Sequence, residues 1–293
     1  VGETLVGLIG GTGLGEALTA KAGGDTVEVT TPFGPPSAPL VMSEIRGQRV
    51  VILSRHGRGH RFSPSEVPYR ANLFALKQLG VTHILASAAS GSLQETIAPR
   101  DLVISDQVID RTIRPGKTFF DGMAVHVGFA QPFCPGLRGL LVELGMQMKT
   151  TVHPRGTYLC MEGPQFSTRA ESLLYRSWGA DLVGMTAMPE AKLAREAEIC
   201  YALVAVPTDY DCWKPHEPGE SPDQVLESIL ANVKAGTEAA NRLITSAVPH
   251  IAEAVGETCG CRSALAQAIW TDRDAIAPET VERLRPLVGK YLA

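Results

Sequence analysis

Asp209 and Asp211 flank Tyr210 at the end of an apolar run, Ile199 to Val206, that closes with Pro207-Thr208. The run is aliphatic and largely β-branched, so it reads as a buried strand. Side chains alternate along an extended chain, which lets both carboxylates face one way. Two carboxylates at a strand mouth repel each other, and the repulsion favours a shared proton near neutral pH. Such a pair offers a donor beside an acceptor, which suits an aminopurine. It also suits the cap of a following turn, and taken alone the residues leave both readings open.

Other polar segments carry chemistry of their own. Gly10-Gly11-Thr12-Gly13-Leu14-Gly15 follows a first strand. It is not the dinucleotide fingerprint, because Glu16 falls where the third glycine belongs, and no Gly-Lys-Ser/Thr follows to make a P-loop. What remains is a glycine turn with exposed amides and the Thr12 hydroxyl, suited to an oxyanion or simply to a tight strand-to-helix connection. Ser54-Arg55-His56-Gly57-Arg58-Gly59-His60 offers an Arg55 fork for phosphate and His56 as a second donor. His56 and His60 are four apart, but Gly57 and Gly59 argue against the helix that a shared metal would need. Ala88-Ala89-Ser90-Gly91-Ser92 would let backbone amides approach a ligand, or serve only close packing. Val183-Gly184-Met185-Thr186-Ala187-Met188 supplies a hydroxyl and two thioethers that suit either a core or a ligand wall.

The elements that must hold these segments alternate. Strands are predicted at Leu5 to Ile9, Arg49 to Leu53, Val81 to Ala86, Asp101 to Ser105, Thr157 to Cys160 and Leu182 to Gly184. Helices are predicted at Glu66 to Leu79 and Gly136 to Met148. Thr168-Arg169-Ala170-Glu171 opens another with a capping box, Pro189 starts one running to about Glu198, and Ser221-Pro222-Asp223-Gln224 opens a long one to about Val248. Alternation of this kind implies an α/β fold: a single domain with a mixed central β-sheet flanked by helices. Ligands then collect where strands end, and the polar segments follow such ends. Trp213 to Glu220 reads as a mobile loop.

Composition narrows the class. The chain of 293 residues has a net charge of −4 and no basic footprint for nucleic acid. No apolar run reaches the roughly 18 residues of a membrane helix. The start, Val1-Gly2-Glu3-Thr4-Leu5, has neither the charged nor the apolar region of a signal peptide, so a cytoplasmic enzyme is expected. The cysteines Cys134, Cys160, Cys200, Cys212, Cys259 and Cys261 are scattered, and buried free thiols are expected. Cys259-Gly260-Cys261 is too short for a usual zinc knuckle and shows no second pair nearby. No metal site is expected.

Taken together, several motifs resemble one family. Gly10-Gly11-Thr12-Gly13-Leu14, Ser54-Arg55-His56-Gly57, the segment from Glu162 to Glu171, and Thr208-Asp209-Tyr210-Asp211-Cys212-Trp213 are similar to the trimeric purine nucleoside phosphorylases. Pro32-Phe33-Gly34, Asp110-Arg111-Thr112 and Gln131-Pro132-Phe133-Cys134-Pro135 fit the branch acting on 5′-methylthioadenosine. The resemblance covers roughly residues 3–250. Residues 1–250 would then form the nucleoside phosphorylase-like domain, with 251–293 a C-terminal helical tail of the same domain.

The resemblance implies reversible, phosphate-dependent cleavage of 5′-methylthioadenosine to adenine and 5-methylthioribose 1-phosphate, a methionine and purine salvage reaction. It implies a homotrimer, inorganic phosphate as co-substrate, and no metal or organic cofactor. Phosphate would sit among Thr12, Arg55, His56, Ala88, Ala89 and Thr186. The ribose would lie on Met185, and the purine by Phe166, Ser167, Asp209, Tyr210 and Asp211. The methylthio group would meet Pro222, Val225 and Leu226, with His126 from a neighbouring subunit. Asp209 would protonate N7 and Asp211 accept from the 6-amino group. A 6-oxopurine or methylthioinosine phosphorylase is the alternative, although such relatives usually carry Asn at the base-contacting position. Ala88, Ser90 and Gly184 stand where many relatives have Thr, Cys and Asn, and Pro222 where a β-branched residue is common. Ala88 therefore lacks a hydroxyl and Gly184 an amide that relatives bring.

Overall fold

The structure, a computed structural model, describes residues 4–11, 23–215, 219, 221–256 and 258–292. Thr12 and most of the glycine turn lie outside the described residues, as do positions 216–218 and 220 of the Trp213 to Glu220 segment.

Eleven described strands form one sheet. They are β1 (Val6–Gly10), β2 (Asp25–Val27), β3 (Leu40–Ile45), β4 (Gln48–Ser54), β5 (His83–Ser92), β6 (Leu102–Ile104), β7 (Gln107–Arg111), β8 (Val152–His153), β9 (Thr157–Met161), β10 (Leu182–Gly184) and β11 (Cys200–Asp209). One path runs β2-β3-β4-β1-β5-β10-β9-β7, while β11 joins β5 to β6, and β6 joins β8. β4, β1, β5 and β11 are mutually parallel, so their carboxyl ends share one edge. β10 is antiparallel to β5, with Leu182 opposite Ser92, and runs toward Ser90 and Ala88. The sheet is thus mixed, as predicted.

The described helices are α1 (Tyr69–Gln78), α2 (Pro135–Gly145), α3 (Arg169–Ser177), α4 (Ala187–Glu196), α5 (Pro222–Ala247), α6 (Ile251–Ala254), α7 (Pro278–Arg283) and α8 (Arg285–Leu292). Both predicted capping boxes are present, Thr168 with Glu171 and Ser221 with Gln224. Met188 leaves helical geometry, so regular α4 begins at Pro189 as its fixed φ predicts.

Period-two alternation sends each central strand to two cores. In β11, Tyr201, Leu203 and Ala205 join one core, which includes residues of α1 and α4. Cys200, Ala202, Val204 and Val206 join the other, with residues of α2 and α5. Tail residues Leu265, Ile276, Leu284 and Val288 enter the first core, and Val255 and Cys261 the second.

Two strand-end expectations change. β5 does not stop near Ala86 but continues to Ser92, because β11 pairs with it as far as Asp209 opposite Gly91. β11 itself ends at Asp209, and Asp211 begins a single 3₁₀ turn (Asp211–Trp213) with φ +45°. Strand alternation therefore does not orient Asp211.

Candidate active site

Arg55 follows β4, and its backbone N–H donates to the Gly10 carbonyl at 3.0 Å, which joins the ends of β4 and β1. The side chain is fully buried. Its Nε and Nη2 donate to the two oxygens of Glu190, each at 2.7 Å, and Nη1 donates to the Ser87 carbonyl at 2.8 Å. Tyr201 donates to Glu190 Oε1 at 2.8 Å. Burial opposes the guanidinium charge, but the Glu190 pair outweighs it and pushes the Arg55 pKa up. The fork is partly engaged: of five N–H groups, three are used, leaving one on each terminal nitrogen. A Cβ on Gly11 would come within 3.0 Å of both Arg55 Nη1 and the Ser87 carbonyl, so the glycine turn approaches Arg55 as closely as backbone allows.

His56 also departs from expectation. Its Nδ1 lies 2.8 Å from the Phe62 carbonyl, which can only accept, so the proton sits on Nδ1. Burial, and then the Arg55 charge, lower the ring pKa to about 4. At neutral pH the ring is neutral, and its free edge, Nε2, is an acceptor rather than the second donor. His56 stacks face to face on His60 at 4.2 Å, and parallel rings do not converge their in-plane lone pairs on one ion.

Thr186 is buried and caps α4 by position, without a side-chain cap bond. Glu190, one turn further, brings that helix to Arg55. Ala88 is buried opposite Ala205, and Ala89 is exposed opposite Val206. Arg55, His56, Ala88, Ala89 and Thr186 thus gather around the ends of β4, β5 and β10. Gly184 has its own explanation here: a Cβ there would stand 1.7 Å from Tyr158 Oη. Tyr158 is fully buried, and its hydroxyl has no hydrogen-bond partner among the described residues. The space an asparagine side chain would need at 184 is filled by a phenol from β9.

The carboxylate pair lies beyond β11. Thr208 Oγ1 donates to Asp209 Oδ1 at 2.9 Å and the Asp211 backbone N–H donates to Asp209 Oδ2 at 2.9 Å. Asp211 packs against Gly91, where a Cβ would meet its Cβ at 3.1 Å. Burial raises the Asp211 pKa, against contacts from Ser172 and Ser167 that lower it. Cys212 Sγ donates to the Ser167 carbonyl at 3.2 Å, so the segment carrying Phe166 and Ser167 sits beside the aspartates. Phe166 itself is 86% exposed. Tyr210 turns toward the Glu95 carbonyl and under the Lys214 ammonium. Met185 is half-buried, and Gly163, with φ +71°, leaves the space its sulfur fills.

α5 lies along β11. Asn232 donates to the Thr208 carbonyl at 2.8 Å and accepts from Arg100 Nε at 2.7 Å, while a Cβ on Gly236 would strike Val206 at 2.4 Å. The helix number falls as the strand number rises, so the α5 N-terminus points past the strand's carboxyl end. Val225 stands two turns beyond Asn232, about 10 Å at the usual rise, with Pro222 and Leu226 beside it. His126 is different: its contacts are with Trp270, at 4.6 Å between rings, and with the Ala268 carbonyl, none of them part of this constellation.

Sequence reasoning missed Glu190, Tyr158 and Asn232, each chosen by a tertiary contact. The Met188-Pro189-Glu190 helix start was the one available signal for Glu190. It also missed a second thiol pair: Cys134 and Cys200 stand beside Cys259 and Cys261, all four sulfurs within 4.8 Å of one another.

A profile of the phosphorylase superfamily matches residues 5–249. The chain belongs to that superfamily. An S-methyl-5′-thioadenosine phosphorylase of Geobacter sulfurreducens is 48% identical over 99% of this chain and 100% of its own length. One of Gloeobacter violaceus is 46% identical over 99% and 97%. Among solved structures, a methylthioadenosine phosphorylase from an antarctic soil metagenomic library superposes with a TM-score of 0.88 at 45% identity, covering 97% of this chain and 99% of that one. A mutant adenosine/methylthioadenosine phosphorylase from Schistosoma mansoni, in complex with methylthioadenosine, gives 0.83 at 35% identity over 92% and 99%. The superfamily match and the mixed sheet agree with the fold expected from the sequence.

Proposed function

We propose that this chain is a pentosyltransferase that cleaves 5′-methylthioadenosine with phosphate, reversibly giving adenine and 5-methylthioribose 1-phosphate. The observation that carries the proposal is the convergence, at one sheet edge, of the buried Arg55–Glu190 pair and Thr186 with the Asp209–Asp211 turn. An anion end and a base end then lie where a nucleoside can bridge them. Full-length likeness to relatives that bear this activity supports the same reading.

Phosphate takes the two remaining Arg55 N–H groups, the Thr186 hydroxyl, backbone amides near Ala89, and Thr12. Neutral His56 accepts at Nε2 from a protonated phosphate oxygen. The sugar lies on Met185. As the C1′–N9 bond breaks, its electrons pass to the purine, positive charge builds on the sugar, and a phosphate oxygen closes on C1′. An anion held there stabilises that charge electrostatically. Asp209 delivers a proton to N7, and Asp211 accepts from the 6-amino group. Phe166 and Ser167 border the base, with Tyr210 behind the turn. Pro222, Val225 and Leu226 form an apolar wall that suits a thioether and leaves a 5′-hydroxyl without a partner.

The reading includes a homotrimer in the cytoplasm, with no metal in the chemistry. The trimer is supported by exposed large apolar side chains, Ile113, Phe166, Leu173 and Trp178. The proposed reaction is tested by product analysis on methylthioadenosine, adenosine and inosine in phosphate buffer. Fastest adenine release from methylthioadenosine supports the proposal; preferential release of hypoxanthine from inosine contradicts it.

A further inference from the structure

Four cysteines from distant parts of the sequence meet away from the nucleoside site. Cys134 precedes α2, and its backbone N–H donates to the Tyr201 carbonyl at 2.8 Å, holding it beside Cys200 at the start of β11. Cys259 and Cys261 come from the tail, which passes the same strand ends where His83 Nε2 meets the Val255 carbonyl at 3.2 Å. Cys134, Cys200 and Cys261 are buried and Cys259 is half-buried, and all four are free thiols. Their sulfurs lie within 4.8 Å of one another, and Cys134 and Cys259 are 3.7 Å apart.

These separations are close to those of a metal–thiolate site. A tetrahedral zinc ion with Zn–S bonds of about 2.3 Å places its sulfurs about 3.8 Å apart. The observed edge of 3.7 Å already has that length. A disulfide requires about 2.05 Å between sulfurs, a far larger displacement for that pair. Among the described residues no histidine or carboxylate belongs to the cluster, so the donor set there is purely soft and closed, the kind that holds a structural rather than a catalytic ion. Cys134 stands at the N-terminus of α2, where the helix dipole favours a thiolate.

We propose that Cys134, Cys200, Cys259 and Cys261 form a tetrathiolate site for a structural zinc ion, which fastens the tail to the sheet. Binding converts four thiols to thiolates, releases four protons to solvent, and leaves a zinc–tetrathiolate unit of net charge −2. Two ligands belong to the body and two to the tail. The tail in turn backs the His126 segment, since Ala124 accepts from the Trp270 N–H at 3.0 Å and His126 donates to Ala268 at 2.8 Å. The ion would therefore stiffen a segment of the proposed 5′ subsite without entering the reaction.

The test is elemental analysis of the full chain, purified under reducing conditions without chelator, alongside Cys259→Ser and Cys261→Ser. The proposal expects about one zinc per wild-type chain and loss of nearly all of it in each variant. Cobalt reconstituted into the wild type should show thiolate charge-transfer and tetrahedral d–d bands, a readout that does not depend on how well the variants fold. Zinc-free wild type with four freely titrating thiols, two disulfides found by mass mapping, or zinc retained in both variants would each overturn it.

Discussion

Glu190 holds Arg55 by two 2.7 Å hydrogen bonds, and both side chains are buried. The pair fixes which guanidinium edge is left for an anion, and links α4, β4 and, through Tyr201, β11. Removing one partner of a buried ion pair typically costs about 3–5 kcal/mol. Glu190→Ala should therefore lower the thermal midpoint markedly. Glu190→Gln keeps most of the shape but frees the guanidinium to turn, and should raise KM for phosphate more than KM for the nucleoside. Steady-state kinetics with each substrate varied checks this. Equal KM changes would mean that the pair is only structural.

Gly184 and Tyr158 share one space. Gly184→Ala forces the phenol or the strand to move, and overpacking of this kind costs roughly 1–3 kcal/mol. Pairing it with Tyr158→Leu should recover part of the loss. Denaturant unfolding of the two single variants and the double variant measures the coupling; strict additivity would show that the two positions do not compete.

Two buried histidines should cost stability on mild acidification. His56 and His83 are both lowered from 6.5 to about 4, chiefly by burial. Between those values the unfolded chain binds more protons than the folded one. Their contribution is present above about pH 6.5 and lost as pH falls toward 4, up to about 3 kcal/mol for each ring. The unfolding free energy measured from pH 7 to pH 4.5 should decline more steeply in wild type than in His83→Gln. Parallel profiles would contradict this.

Asp209→Asn should reduce cleavage of adenine nucleosides by about 10²–10⁴, the usual worth of a general acid, and raise the relative rate on 6-oxopurines. The readout is the ratio of kcat/KM values for methylthioadenosine and inosine. An unchanged ratio would remove Asp209 from the base-reading role.

Much of this site was legible because polar strand ends stand out against apolar runs. Ser54-Arg55-His56, Thr186 and Asp209 lie where the alternation put them. The remainder depended on what only folding brings together. Glu190 is far from Arg55 in sequence, yet takes two of its five N–H groups. Asp211 sits at positive φ, where strand periodicity carries no information. The neutral state of His56 follows from burial and the neighbouring Arg55 charge, and its tautomer from a carbonyl six residues away. β5 looked finished at its small residues because pairing with β11, not composition, extends it. Cys259-Gly260-Cys261 looked alone because its partners come from β11 and the start of α2.

The central claim is that phosphate, not water, accepts the sugar. The direct measurement follows adenine released from methylthioadenosine by the purified chain, with phosphate present and with phosphate rigorously removed, while the sugar product is identified by mass. The account predicts adenine and 5-methylthioribose 1-phosphate in equal amounts, with release falling to background when phosphate is absent. Adenine release at the same rate without phosphate, yielding free methylthioribose, would contradict it.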